Sequence, residues 1–133
     1  MSSYKEKLSI LSEMIAFARA DQAIKDVEYG FLLGVSEQLG VDREDFESLL
    51  EAEAEHVLPK SEAERILQFH RLVLLMNVDR NRSPQEIRKL HDIGLAMGLS
   101  MNAIDQVLLV MHRYPDKIVP PDVLIGIFKA HYN

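Results

Sequence analysis

The sequence predicts an all-α protein, a seven-helix bundle built from a duplicated three-helix unit and closed by a C-terminal helix. Three observations carry that prediction. Apolar residues recur at helical spacing along nearly the whole chain, helix start and stop signals punctuate it, and one half repeats the pattern of the other. With 133 residues and 47% hydrophobic content, the chain is long enough for one core and too short for two ordinary domains, so residues 1–133 are read as a single domain.

The first helix is expected over residues 4–20, where Leu8, Leu11, Ile15 and Ala18 make an apolar stripe. The second, 26–39, carries Phe31, Leu32, Val35 and Leu39 and stops at Gly40, a residue able to take the left-handed conformation that ends helices. Gly30 and Gly34 within it stand at GxxxG spacing, which permits close helix approach. The third is expected over 42–54, with Asp42 and Asp45 imitating a capping box. The fourth, 62–78, opens on Ser61 with Glu64 three residues later. The fifth, 84–97, opens on Ser83, Pro84 and Glu86 and stops at Gly98. A sixth follows over 100–112. The seventh, 121–131, opens at Pro120-Pro121 and presents Val123, Leu124, Ile127 and Phe128.

Shifting the chain by 58 residues aligns Asp21 with Asp79, Glu28 with Glu86, Leu32 with Leu90, Gly40 with Gly98 and Leu50 with Leu108. Apolar positions coincide in the same register: Met14 with Leu72, Ile15 with Val73, Val35 with Ile93, Phe46 with Ile104, Leu49 with Val107. The repeats therefore run approximately over 8–50 and 66–108. The expected core comprises Leu11, Ile15, Leu32, Val35, Leu49, Val73, Leu90, Ile93, Val107 and Phe128. Met97 and Met101 are expected to fill gaps at a helix junction.

Composition excludes several functions. The formal net charge of -6 argues against the phosphate-neutralising footprint of a nucleic-acid binder. Absence of cysteine removes disulfides, thiol nucleophiles and cysteine-ligated metal sites. No apolar run exceeds the five residues of Leu72 to Met76, far short of the roughly 20 residues a membrane-spanning helix needs. No signal peptide is read at the start, so a cytoplasmic location is expected. The five histidines form no HExxH pattern, and no GxSxG or GxxxxGK[ST] segment occurs. His70 and His91 are the two whose surroundings are worth knowing.

Two features bear on function. Residues 1–64 hold 15 acids against 6 bases, whereas residues 65–133 hold 6 against 9. The acids concentrate around the third helix and the connection after it, and Glu44, Glu47, Glu51 and Glu55 are the candidate docking residues for a protein partner with a basic surface. The bland alternative is a solvated face. The second feature is the interhelical loop. In each unit an aspartate is followed seven residues later by a glutamate in the next helix's first turn. The first loop offers Asp21, Asp26 and Glu28 as oxygen ligands for a divalent cation, calcium or magnesium. The second offers Asp79 and Glu86, but Arg80 and Arg82 repel a cation there. Neither is an EF-hand, because position six is Asp26 or Pro84 in place of glycine. The competing explanation is that these acids cap and brace the helices. Lys25 stands where Ser83 caps the second unit, which leaves the first loop's acids less occupied by capping.

The Ala20-Asp21 step, the hydrophobic Ile24, and a helix of the form Glu28, Leu32, Val35, Leu39, Gly40 resemble the TerB-like family. That family includes the tellurite-resistance TerB proteins and the region accompanying the J-domain in DjlA-type co-chaperones. The resemblance implies an all-helical, duplicated fold over residues 4 to about 112. It also implies a metal-binding role for Asp21 and Glu28, and for Asp79 and Glu86 by repetition, in a stress-response or membrane-associated system. The chain departs from the family pattern where Gln22 and Arg80 replace the glycine after the aspartate, and where Arg82 replaces the hydrophobic residue. The expected function is a noncatalytic interaction module. The alternatives are an enzyme using carboxylates as acid and base, which needs a desolvated cleft, and a homo-oligomeric assembly domain with an uncovered apolar face.

Overall fold

The structure is a computed structural model, and it describes residues 3–19, 23–52, 54, 56–78 and 84–131. Among the described residues there are seven α-helices and no strand: α1 (Tyr4–Ala18), α2 (Asp26–Leu39), α3 (Arg43–Glu51), α4 (Glu62–Asn77), α5 (Pro84–Ala96), α6 (Met101–Val110) and α7 (Pro121–Ala130). Two 3-10 turns, Met111–Arg113 and Pro115–Lys117, join α6 to α7.

The caps explain where the helices start. Ser3 accepts the Glu6 N–H, and the Glu6 carboxylate returns to Ser3 N, closing a capping box on α1. Ser61 accepts the Glu64 N–H at 3.1 Å and Ser100 accepts the Ala103 N–H. Ser83 lies outside the described residues. Gly40 at φ 77° and Gly98 at φ 79° end α2 and α5 in the left-handed region that glycine enters without steric cost.

The aspartate pair predicted to cap α3 works differently. Asp42 is the N-cap residue but makes no side-chain cap bond. Its N–H donates to the Tyr4 hydroxyl at 3.1 Å, and that hydroxyl donates a short bond to the Asp45 carboxylate. A tyrosine from α1 thus completes the cap, a link 38 residues long that periodicity does not reveal.

α3 also stops early, at Glu51 rather than 54, and the reason is tertiary. Ala52 is extended, and Ala54 N donates to Ser12 Oγ at 3.0 Å while Val57 N donates to Ser9 Oγ at 2.6 Å. Both serines face the core side of α1 and are buried. They satisfy the backbone of an extended strap that would otherwise be unpaired against apolar surface. The Arg19 guanidinium donates to the Leu50 carbonyl at the end of α3. Beyond the strap, Arg65 holds the Pro59 carbonyl at 2.7 Å and the Lys60 carbonyl at 3.3 Å.

α1 packs against α2, α3 and α4, while α4 packs against α5 and α7, so these two helices form the centre of the bundle. Phe17, Phe46 and Phe69 are fully buried with Leu11, Met14, Ile15, Leu32, Leu72, Leu75, Met76, Leu90 and Ile104. Phe69 meets Phe128 of α7 edge to face at 5.8 Å, and Tyr29 meets Phe46 similarly across α2 and α3. Eight of the ten predicted core residues are buried; Val35 and Ile93 are half-buried against the cluster. Met97 is buried as expected, but Met101 is half exposed at the start of α6.

The close approach expected at Gly30 and Gly34 is absent. Both are exposed, and a Cβ built on either meets nothing within 4 Å. The intimate contact is at Gly94, where a Cβ lies 2.5 Å from Ile104 Cδ1 and 3.3 Å from Phe69 Cε1. That glycine lets α5 settle onto α6 and α4.

Candidate functional site

The first interhelical loop runs into α2 through Ala23, Ile24 and Lys25. Lys25 is the N-cap, and its N–H donates to Glu28 Oε1 at 2.9 Å. Glu28 is only 3% exposed, so its carboxylate lies against the helix start, where the positive end of the helix dipole favours it. Glu28 is therefore engaged in capping, and one of its carboxylate oxygens is already occupied. Asp26, the first residue of α2, is exposed. At the position 58 residues later, Glu86 occupies the same place on α5 and is 4% exposed. Asp21 and Asp79 lie outside the described residues. Among the described residues no group of three or more histidines, aspartates or glutamates is placed to hold a metal ion.

The acidic face is built by α3. Glu44, Glu47 and Glu51 are exposed, and Glu55 lies outside the described residues. Their environments differ. Glu47 Oε1 accepts from Arg43 Nε at 3.0 Å and from the Tyr29 hydroxyl at 2.9 Å. The bond from Arg43, with that from Tyr29, holds its carboxyl below the usual range. Glu47 thus ties α3 to α2 as well as contributing charge. Asp45 is likewise engaged with Tyr4, whose hydroxyl is raised above its ordinary pKa chiefly by that bond. Glu44 and Glu51 are exposed carboxylates of this face.

The histidines separate by environment. His91 of α5 bonds the Ile87 carbonyl through Nδ1 at 3.0 Å and Asp105 of α6 through Nε2 at 2.7 Å. A carbonyl and a carboxylate are both acceptors, so only the imidazolium satisfies both contacts. The bond to Asp105 raises the His91 pKa. This pair was invisible in the sequence, since its members are 14 residues apart on different helices. His70 of α4 is 8% exposed, with Nδ1 lacking a hydrogen-bond partner. Burial pushes its pKa down, and neighbouring Arg71 adds to the effect.

A cleft of about 320 Å³ lies between α1, α5 and the strap, with Glu13 and Asp92 among its walls. Gln68, 1% exposed, donates to Glu13 Oε1 at 3.0 Å and to the Ile10 carbonyl, and accepts from Arg71. Glu13 is thereby fixed at the cleft wall. Among the described residues no helix is long and apolar enough to cross a membrane. No known protein family matches the chain, and neither curated proteins nor solved structures provide a match.

Proposed function

We propose that the chain is a noncatalytic, TerB-like interaction module that docks a protein partner with a basic surface on α3 and the connection after it. The observation that carries this reading is the gathering of eight acids between Glu44 and Glu64, with Glu44 and Glu51 exposed on α3. Such a field steers oppositely charged surfaces and is screened over about 8 Å at physiological ionic strength.

The architecture proposed for the module is the duplicated three-helix unit closed by α7. Three coincidences support it. The starts of α1, α2 and α3 at Tyr4, Asp26 and Arg43 each precede by 58 residues the starts of α4, α5 and α6 at Glu62, Pro84 and Met101. Gly40 and Gly98 share the left-handed conformation in that register, and Glu28 and Glu86 share burial.

The test uses a lysine-rich synthetic peptide as probe. Glu44→Gln with Glu51→Gln is expected to weaken binding several-fold more than the equal charge loss in Glu37→Gln with Asp122→Asn, and 0.5 M salt to abolish the difference. Equal effects of the two pairs would show that the face is only solvated charge. Turnover of a substrate by the purified chain would overturn the noncatalytic part.

The proposed module also carries calcium or magnesium on Asp21, Asp26 and Glu28, with Asp79 and Glu86 bracing the second loop. The support is the repeated aspartate-to-glutamate spacing and the presence of Arg80 and Arg82 in only one loop. Calorimetry with either cation decides it: binding by the wild type, lost in Asp21→Ala with Glu28→Ala at unchanged helicity, is the expected result.

A further inference from the structure

Where α2, the end of α4 and the two 3-10 turns meet, the structure forms an open pocket of about 680 Å³. That lies within the roughly 300–1,000 Å³ typical of sites that bury a small organic ligand. Its walls are mainly apolar: Phe31 from α2, Leu74 and Val78 from α4 and its end, and half-exposed Ile118 at the far side. Polar groups are few, and the described lining residues include no carboxylate.

Two of those polar groups have unusual circumstances. Asn77 is more than nine-tenths buried; its Nδ2 donates a weak bond to Met111 Sδ, and its Oδ1 has no hydrogen-bond partner. The other buried side-chain atom without a partner among the described residues, His70 Nδ1, belongs to the same face of α4, because positions 70, 74 and 77 follow the helical repeat. The unsatisfied polar atoms of the core thus gather on the stripe that borders the pocket. Lys117 contributes the cation. It sits at φ 60°, where a lysine rarely stands, and it lines the pocket with His112 and Tyr114.

We propose that this pocket binds a small amphiphilic organic anion, with an apolar body against Phe31, Leu74, Val78 and Ile118 and an acidic group paired with Lys117. The apolar walls take the body, and the charged-group bond at Lys117 sets its direction. Apart from Phe31, the described lining residues lie in the basic half of the chain, and none belongs to the acidic face of α3.

The probe is 8-anilinonaphthalene-1-sulfonate, which joins an aromatic body, an N–H and a sulfonate, compared with N-phenyl-1-naphthylamine, the same skeleton without the anion. Fluorescence titration of the full chain is expected to show saturable one-to-one binding of both, tighter for the sulfonate. Lys117→Asn preserves the backbone, because asparagine tolerates the left-handed region, and removes the charge. It is expected to weaken the sulfonate about tenfold, the scale of one charged hydrogen bond, and to leave the neutral probe unchanged. Phe31→Ala, which removes an apolar wall, is expected to weaken both probes several-fold. Absence of saturable sulfonate binding by the wild type would overturn the proposal. So would affinities in both variants equal to wild type.

Discussion

Gly94 is a residue whose missing side chain does work that the exposed glycines of α2 do not. A methyl group there falls 2.5 Å from Ile104 Cδ1, while Phe69 closes the other side. Gly94→Ala is therefore expected to cost about 1–3 kcal/mol despite alanine's better helix propensity, because α5 must lift from α6 or two core side chains must leave their rotamers. Gly34→Ala meets open space and is expected to gain up to about 1 kcal/mol from propensity alone. Urea unfolding of the two variants checks the pair, and a neutral Gly94→Ala would show that the contact yields. Spacing alone pointed to Gly30 and Gly34; the contact that matters depends on how a different helix crosses, which one helix's sequence does not encode.

At the scale of elements, two histidines give the helices opposite responses to pH. His70 in α4 has a pKa below its unfolded value, so the folded state binds fewer protons than the unfolded state. Its effect is to destabilise the fold as pH falls below about 6.5, the unfolded value. His91, bridging α5 to Asp105 of α6, has a raised pKa. Its stabilisation is fully present below the unfolded value and is lost as pH rises through the folded value. The bridge is partly exposed, with Asp105 more than half so, and solvent screening keeps its contribution small. Buried His70 is expected to dominate. Thermal melts from pH 5 to pH 8 should show Tm rising with pH in the wild type, and His70→Leu should flatten that slope. His91→Gln should steepen it slightly. A wild-type slope unchanged by His70→Leu would refute the assignment to α4.

For the whole molecule, the seven helices were legible because periodicity and caps are local: the serine at 61 and the glycines at 40 and 98 act within a few residues of themselves. What was not legible is set across the chain. The early end of α3 depends on Ser9 and Ser12 of α1, and its cap depends on Tyr4. The candidate loop was visible as a spacing of acids. That Glu28 and Glu86 are buried against helix starts was not, since burial depends on the helices that cover them. The pocket beside Asn77 was hidden for the same reason: its walls come from residues 31, 74–78 and 112–118.

The strap between α3 and α4 has a consequence for how the two halves of the chain hold together. Its serine anchors lie before exposed Lys60, whereas Arg65, which holds the Pro59 and Lys60 carbonyls, lies after it. Tryptic cleavage after Lys60 would leave the strap bound to its own fragment, and the larger union of α1 with α4 would remain intact. The nicked protein is expected to elute as one species in native gel filtration and as two fragments in urea, which refold into the native complex when remixed. That result would make the chain two complementary peptides that recognise each other through α1 and α4.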